Sequence, residues 1–153
     1  MFISVKMPLT AKGYLKQAFW LDNMIRSDNE ELLELKELAA SIPGVDLTRT
    51  PVVSFGNDRT AKIVEKYIHL EGVIQAEAER LIDLKAEIRD RIGIMPDANL
   101  RLILQKRYLN LQKWEQIAMD LGFTYRNTMY IHKEALKLFS KIYKIDTDLS
   151  NSI

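Results

Sequence analysis

The sequence predicts an all-α protein, and three observations carry that expectation. Gly and Pro are scarce, 6 and 4 in 153 residues, too few for a many-turned β protein. Two long segments carry apolar residues three and four apart, the period of a helix stripe and not of a strand. Residues 114–136, WEQIAMDLGFTYRNTMYIHKEAL, read as a short helix, a glycine turn and a second, basic helix.

Thr10 is a good N-cap for a first helix, predicted to run to Ile42. Its stripe holds Ala18, Leu21, Ile25, Leu32, Leu35, Ala39 and Ile42, interrupted by Asp28. Pro43-Gly44 ends it. Residues 43–58, with two prolines and two glycines, predict a loop in which Val52-Val53 is at most a fragment of strand. Asn57 or Asp58 then caps a second helix reaching about Ile92. Ile63, Tyr67, Leu70, Ile74, Leu81, Leu84 and Ile88 repeat at heptad spacing, and Glu77 breaks this stripe as Asp28 breaks the first.

Two long stripes joined by one loop predict an antiparallel, coiled-coil-like helical hairpin. A bare hairpin leaves Leu33, Leu38, Ile68 and Val73 partly wet. It is therefore expected to pack on the C-terminal module, on a second copy of itself, or on both, and a homodimer through the hairpin is a candidate arrangement. After the break at residues 93–96, Asp97 caps a third helix over residues 98–109, followed by the pair in residues 114–136. The expected division is a hairpin at 1–96, a three-helix module at 97–145 and a polar, frayed tail at 146–153. Residues 1–9 are expected to be a frayed end or a short packed element, without the apolar core and cleavage site of a signal peptide.

Composition narrows function. With no cysteine there is no disulfide or thiolate metal site, which suits a reducing cytoplasm. The apolar runs are too short to span a bilayer. The net charge of +1 is unevenly placed: residues 97–145 hold nine Lys and Arg against four Asp and Glu. A basic C-terminal module on a mildly acidic base is a nucleic-acid footprint.

Within that module Trp114, Ile117, Ala118 and Leu121 share one face, Gly122 can take a left-handed turn, Phe123 plugs the gap and Thr124 caps the last helix. Thr128, Ile131, Ala135, Leu138 and Ile142 form the expected inward stripe. Tyr125, Arg126, Asn127, Met129, Tyr130 and Lys133 are left on the outer or N-terminal face. Their chemistry suits double-stranded DNA. Arg bonds guanine O6 and N7, Asn bonds adenine N6 and N7, and Tyr and Met meet thymine methyls. Arg107 and Lys113, with Arg101, Lys106, Lys137 and Lys141, are candidate phosphate contacts. The competing reading is a three-helix bundle with a solvated basic face.

From Leu102 to Leu138, through Tyr108, Trp114-Glu115-Gln116-Ile117-Ala118, Leu121-Gly122 and Glu134-Ala135-Leu136, the chain resembles region four of bacterial sigma factors. With Thr10-Ala11-Lys12-Gly13-Tyr14-Leu15, Ala18-Phe19-Trp20-Leu21-Asp22 and Leu81-Ile82-Asp83-Leu84-Lys85, it looks like small phage and prophage proteins of Gram-positive bacteria, similar to ArpU/RinA-type late-gene activators. The resemblance implies transcriptional control, with DNA, RNA polymerase or both as target. The outer face near Met129 and Tyr130 lacks the further basic residue such a module would carry. A small-terminase-like DNA-packaging adaptor and a pure protein-interaction module are the alternatives.

No catalytic constellation stands out, so an enzyme is not expected, and neither a cofactor nor a metal is implied. His69 and His132 lack a second histidine one turn away. Glu30-Glu31 and Glu77/Glu79 sit on regular helices with basic neighbours, which suits a solvated surface better than paired-carboxylate catalysis. Asp28 and Glu77 either fix the register of a helical seam or reach solvent as the stripe drifts.

Overall fold

A computed structural model describes residues 10–44 and 58–145. The expectations for residues 1–9, for Val52-Val53 and for the tail at 146–153 lie outside the described residues. All described regular structure is helical: α1 (Ala11–Leu15), α2 (Gln17–Ala40), α3 (Asp58–Gly93), α4 (Ala98–Leu104), a π turn (Gln105–Leu109), α5 (Trp114–Leu121) and α6 (Tyr125–Tyr143). The expected all-α class is what is seen.

Local chemistry sets the boundaries. The Thr10 hydroxyl accepts from Gly13 N–H at 2.9 Å and starts α1. The first helix, expected to be continuous, is interrupted at Lys16, which stays in the right-handed region while its N–H still bonds Lys12 O. The Asp97 carboxylate accepts from Asn99 N–H and Leu100 N–H at 2.9 and 3.1 Å and starts α4. Pro43-Gly44 follows α2, with Gly44 at φ +83°.

The chain forms two compact units, Leu21–Ile82 and a second made of Met1–Trp20 with Asp83–Ile153. The boundary expected at residue 96 is therefore displaced. Its physical reason is burial: Tyr14, Leu15 and Ala18 near the start, and Ile88, Ile92 and Met95 after residue 83, are core residues of the α6-containing unit. Ile103, Leu104, Ile117, Leu136 and Phe139 are buried in the same unit. A long helix can serve two cores, because each of its turns packs on whatever apolar surface lies beside it.

Tyr14 ties this unit together. Its ring stacks on Phe139 at 5.9 Å between centroids, and its hydroxyl donates to Glu87 Oε1 at 2.8 Å. Burial, and then the Glu87 hydrogen bond, push the phenol above its usual range, so it stays neutral. The Arg91 guanidinium lies 4.8 Å from the Tyr14 ring and 5.3 Å from that of Tyr143, while Tyr143 donates to Arg91 O at 2.7 Å.

In the other unit, Leu38 of α2 shares a groove with Asp58, Arg59, Lys62, Ile63 and Lys66 of α3. Farther along, the Asp28 carboxyl lies close enough to that of Glu77 to shift its protonation. These two levels put the later part of α2 beside the earlier part of α3, so within this unit the helices run antiparallel. Leu21 and Ala39 are buried, and Ile25, Leu32, Leu35, Ile63, Tyr67, Leu70, Ile74 and Leu81 are half-buried. Asp28 and Glu77 are half-buried in the same seam, and Glu77 Oε2 is buried with no hydrogen-bond partner among the described residues. Burial, followed by the neighbouring Asp28 carboxyl, raises the Glu77 carboxyl above the usual carboxylate range.

Candidate nucleic-acid interface

The interface candidate is built on α6, which packs against α4, α5 and α1. α5 ends at Gly122, whose φ of +68° is the left-handed conformation that turns the chain after a helix. Gly122 N–H returns to Met119 O at 3.2 Å and Phe123 N–H to Ala118 O at 3.0 Å. Thr124 then caps α6: its hydroxyl accepts from Asn127 N–H at 3.1 Å, and Thr128 Oγ1 donates back to Thr124 O at 2.9 Å. Nothing stands within 4 Å of a Cβ added at Gly122, so only the backbone opposes a side chain there. Gly122→Ala is expected to lower stability by about 1–2 kcal/mol without altering the fold, measured by thermal unfolding.

The face of α6 turned inward holds Thr128, His132, Ala135, Leu136 and Phe139. The expected stripe shared Thr128 and Ala135 but placed Ile131, Leu138 and Ile142 inside; these three are half-buried. His132 is the pivot. Its Nε2 lies 2.7 Å from the Tyr108 hydroxyl, and the Trp114 ring meets it edge-on at 4.4 Å. Burial, then the positive charges of Lys12, Arg107 and Lys16, lower its pKa to about 4. At neutral pH it is an uncharged part of the frame. Tyr108 reaches it from the π turn, which closes with Asn110 N–H on Gln105 O at 2.9 Å.

The same frame places Arg107. Its guanidinium lies 4.7 Å from the centre of the Trp114 ring and donates to Gln112 O at 2.9 Å. That bond steadies the connection between the π turn and α5, where Leu111 sits at φ +55°. Arg107, a sequence-predicted phosphate contact, is thus half-buried in this cluster. Lys106 pairs with Asp120 at 3.2 Å, Arg101 donates to Met95 O, and Lys137 lies 3.4 Å from Glu134. The Lys106 and Gln116 hydrogen bonds hold the Asp120 carboxyl below the usual range, Gln116 contributing most. Lys113 and Lys141 are exposed.

The other sequence-predicted residues come together on one helix. Tyr125, Arg126, Asn127, Tyr130 and Lys133 are all exposed along the first three turns of α6, and Met129 is half-buried beside them. Tyr125 and Tyr130 are 51% and 63% exposed, unusual for aromatic side chains that have a core nearby. Arg126, Asn127 and Tyr130 follow the i, i+1, i+4 spacing that projects side chains from one edge of a helix. The face offers hydrogen-bond donors, an amide and two aromatic rings, and no acidic residue before Glu134.

Sequence reasoning missed the His132, Tyr108, Trp114 and Arg107 cluster. The signal was present: Thr128, His132, Ala135 and Phe139 have the same helical spacing as the stripe chosen. Among the described residues, no group of three His, Asp or Glu could hold a metal ion, and no helix is long and apolar enough to cross a membrane. No family model matches the chain, and neither a curated protein nor a solved structure is significantly similar to it.

Proposed function

We propose that the chain is a phage-type transcriptional regulator that binds double-stranded DNA, with the N-terminal half of α6 in the major groove. The carrying observation is the exposed run Tyr125, Arg126, Asn127, Tyr130 and Lys133 on a helix anchored from behind by Thr128, His132, Ala135 and Phe139. Arg126 and Asn127 have the donors and acceptors that read guanine and adenine, and the tyrosines contact thymine methyls or phosphates. Lys113, Lys133 and Lys141 supply charge for the backbone.

Fluorescence anisotropy of a labelled duplex against salt concentration tests this. With about three lysines on phosphates, log affinity should fall with log salt at a slope near −3. At a preferred site, Arg126→Ala is expected to cost about 1–3 kcal/mol and to relax selectivity at one base pair. Unchanged affinity and selectivity in that variant would remove Arg126 from base reading.

A further inference from the structure

We infer that the α2–α3 unit is an interface for a second copy of this chain, built from a face that is complementary to itself under a two-fold rotation. This goes beyond the DNA reading and does not depend on it.

The face follows from the heptads. The α2 seam is Leu21, Ile25, Asp28, Leu32, Leu35 and Ala39; the α3 seam is Ile63, Tyr67, Leu70, Ile74, Glu77 and Leu81. One column flanks each seam on the same side of the antiparallel pair. On α2 it is Met24, Glu31 and Leu38; on α3 it is Arg59, Lys66 and Val73. The structure brings the columns together where Leu38 shares its groove with Arg59, Lys62, Ile63 and Lys66. Glu34 and Lys62 lie one step outward on the two helices.

The two halves of this face differ in charge. The α2 half is acidic and apolar: Glu31 and Glu34 are exposed, Met24 is 55% exposed and Leu38 47%. The α3 half is basic: Arg59, Lys62 and Lys66 are exposed, and none of these five charged side chains forms an ion pair among the described residues. Rotating a second copy by 180° about an axis parallel to the helices puts each α2 over the other copy's α3. Antiparallel order is kept, and levels match, because Leu38 is level with Lys62 and Glu34 then falls near Lys66. Each copy gives Glu31 and Glu34 to the other's Lys62 and Lys66, so every ionic contact occurs twice. Met24, Leu38 and Val73 close the middle, making a four-helix bundle. A nucleic acid would meet Glu31 and Glu34 beside the three cations, and a uniformly acidic or basic partner would face repulsion on one half. A copy of the same face meets neither obstacle.

A charge-swap experiment on the full chain tests this. Native mass spectrometry and sedimentation should give the wild-type chain a mass near twice 17.7 kDa. Glu31→Lys with Glu34→Lys makes the face uniformly basic; Lys62→Glu with Lys66→Glu makes it acidic. Each double variant alone should associate about 100-fold more weakly. Mixed in equal amounts they should form a one-to-one dimer, because both interfaces then pair opposite charges. Helical content by circular dichroism separates misfolding from lost association, and recovery on mixing shows the variants are folded. A monomeric wild type, undiminished association of either variant, or failure of folded variants to pair on mixing would overturn the assignment.

Discussion

Lowering the pH from 6.5 to 4 is expected to remove about 3 kcal/mol of stability from the α6-containing unit through His132 alone. The sign follows from its pKa of about 4, below the ordinary 6.5, with burial as the main cause and Lys12, Arg107 and Lys16 adding repulsion. In the unfolded chain His132 takes up a proton near pH 6.5; in the folded chain it resists until about 4. Its contribution is complete above pH 6.5 and drains away across that window. Urea unfolding at a series of pH values, followed by Trp114 fluorescence against a Trp20→Phe background, measures it. His132→Phe should lower stability at neutral pH, since the Tyr108 hydroxyl loses its 2.7 Å partner, yet flatten this part of the pH dependence. An unaltered slope in that variant would show that the acid sensitivity comes from other groups.

The second large effect has the opposite direction. Replacing both seam acids, Asp28→Leu with Glu77→Leu, is expected to stabilise the α2–α3 unit by about 2–4 kcal/mol. Two half-buried carboxyls facing each other cannot both ionise without repulsion, and one oxygen of Glu77 is shielded without a partner among the described residues. Two leucines there would continue both apolar stripes. The Glu77 carboxyl is raised, by burial first and Asp28 next, so its neutral form suits the fold. The Glu77 contribution is therefore complete below the unfolded carboxyl pKa and is lost as pH rises through the folded one. Amide hydrogen exchange of α2 and α3 isolates this unit from the rest. A slower exchange in the double variant at pH 7 bears the account out; faster exchange would mean that the acids hold the seam together. Opposite pH responses in two units of one chain also predict that a single unfolding transition broadens or divides on acidification.

Much of the fold was legible because helix ends have local chemistry. Thr10, Asp97 and Thr124 each cap the helix that follows, and Gly122 turns left-handed where a turn was needed. Asp28 and Glu77 were visible as two acids out of place, but their pairing depends on the register between helices, which no single stripe contains. The boundary between units was illegible for a similar reason. Periodicity shows that Ile88 and Ile92 face something apolar, not that Tyr14 and Phe139 belong to the same core. The π turn and the inward rotation of His132 are tertiary choices between two stripes of equal period. At the interface, exposure of Tyr125, Arg126, Asn127 and Tyr130 was deducible by subtraction from the buried face, whereas Arg107 was not. A cation looks the same in sequence whether it reaches for phosphate or lies on the Trp114 ring.

Selection of bound duplexes from a random DNA library, with the enriched sequences retested beside bulk DNA at several salt concentrations, tests the central claim most directly. The account predicts an enriched motif bound well above bulk DNA, with a steep salt dependence and loss of enrichment at one position in Arg126→Ala. No enrichment, together with no binding at low salt, would contradict it and leave α6 as part of a protein-binding bundle.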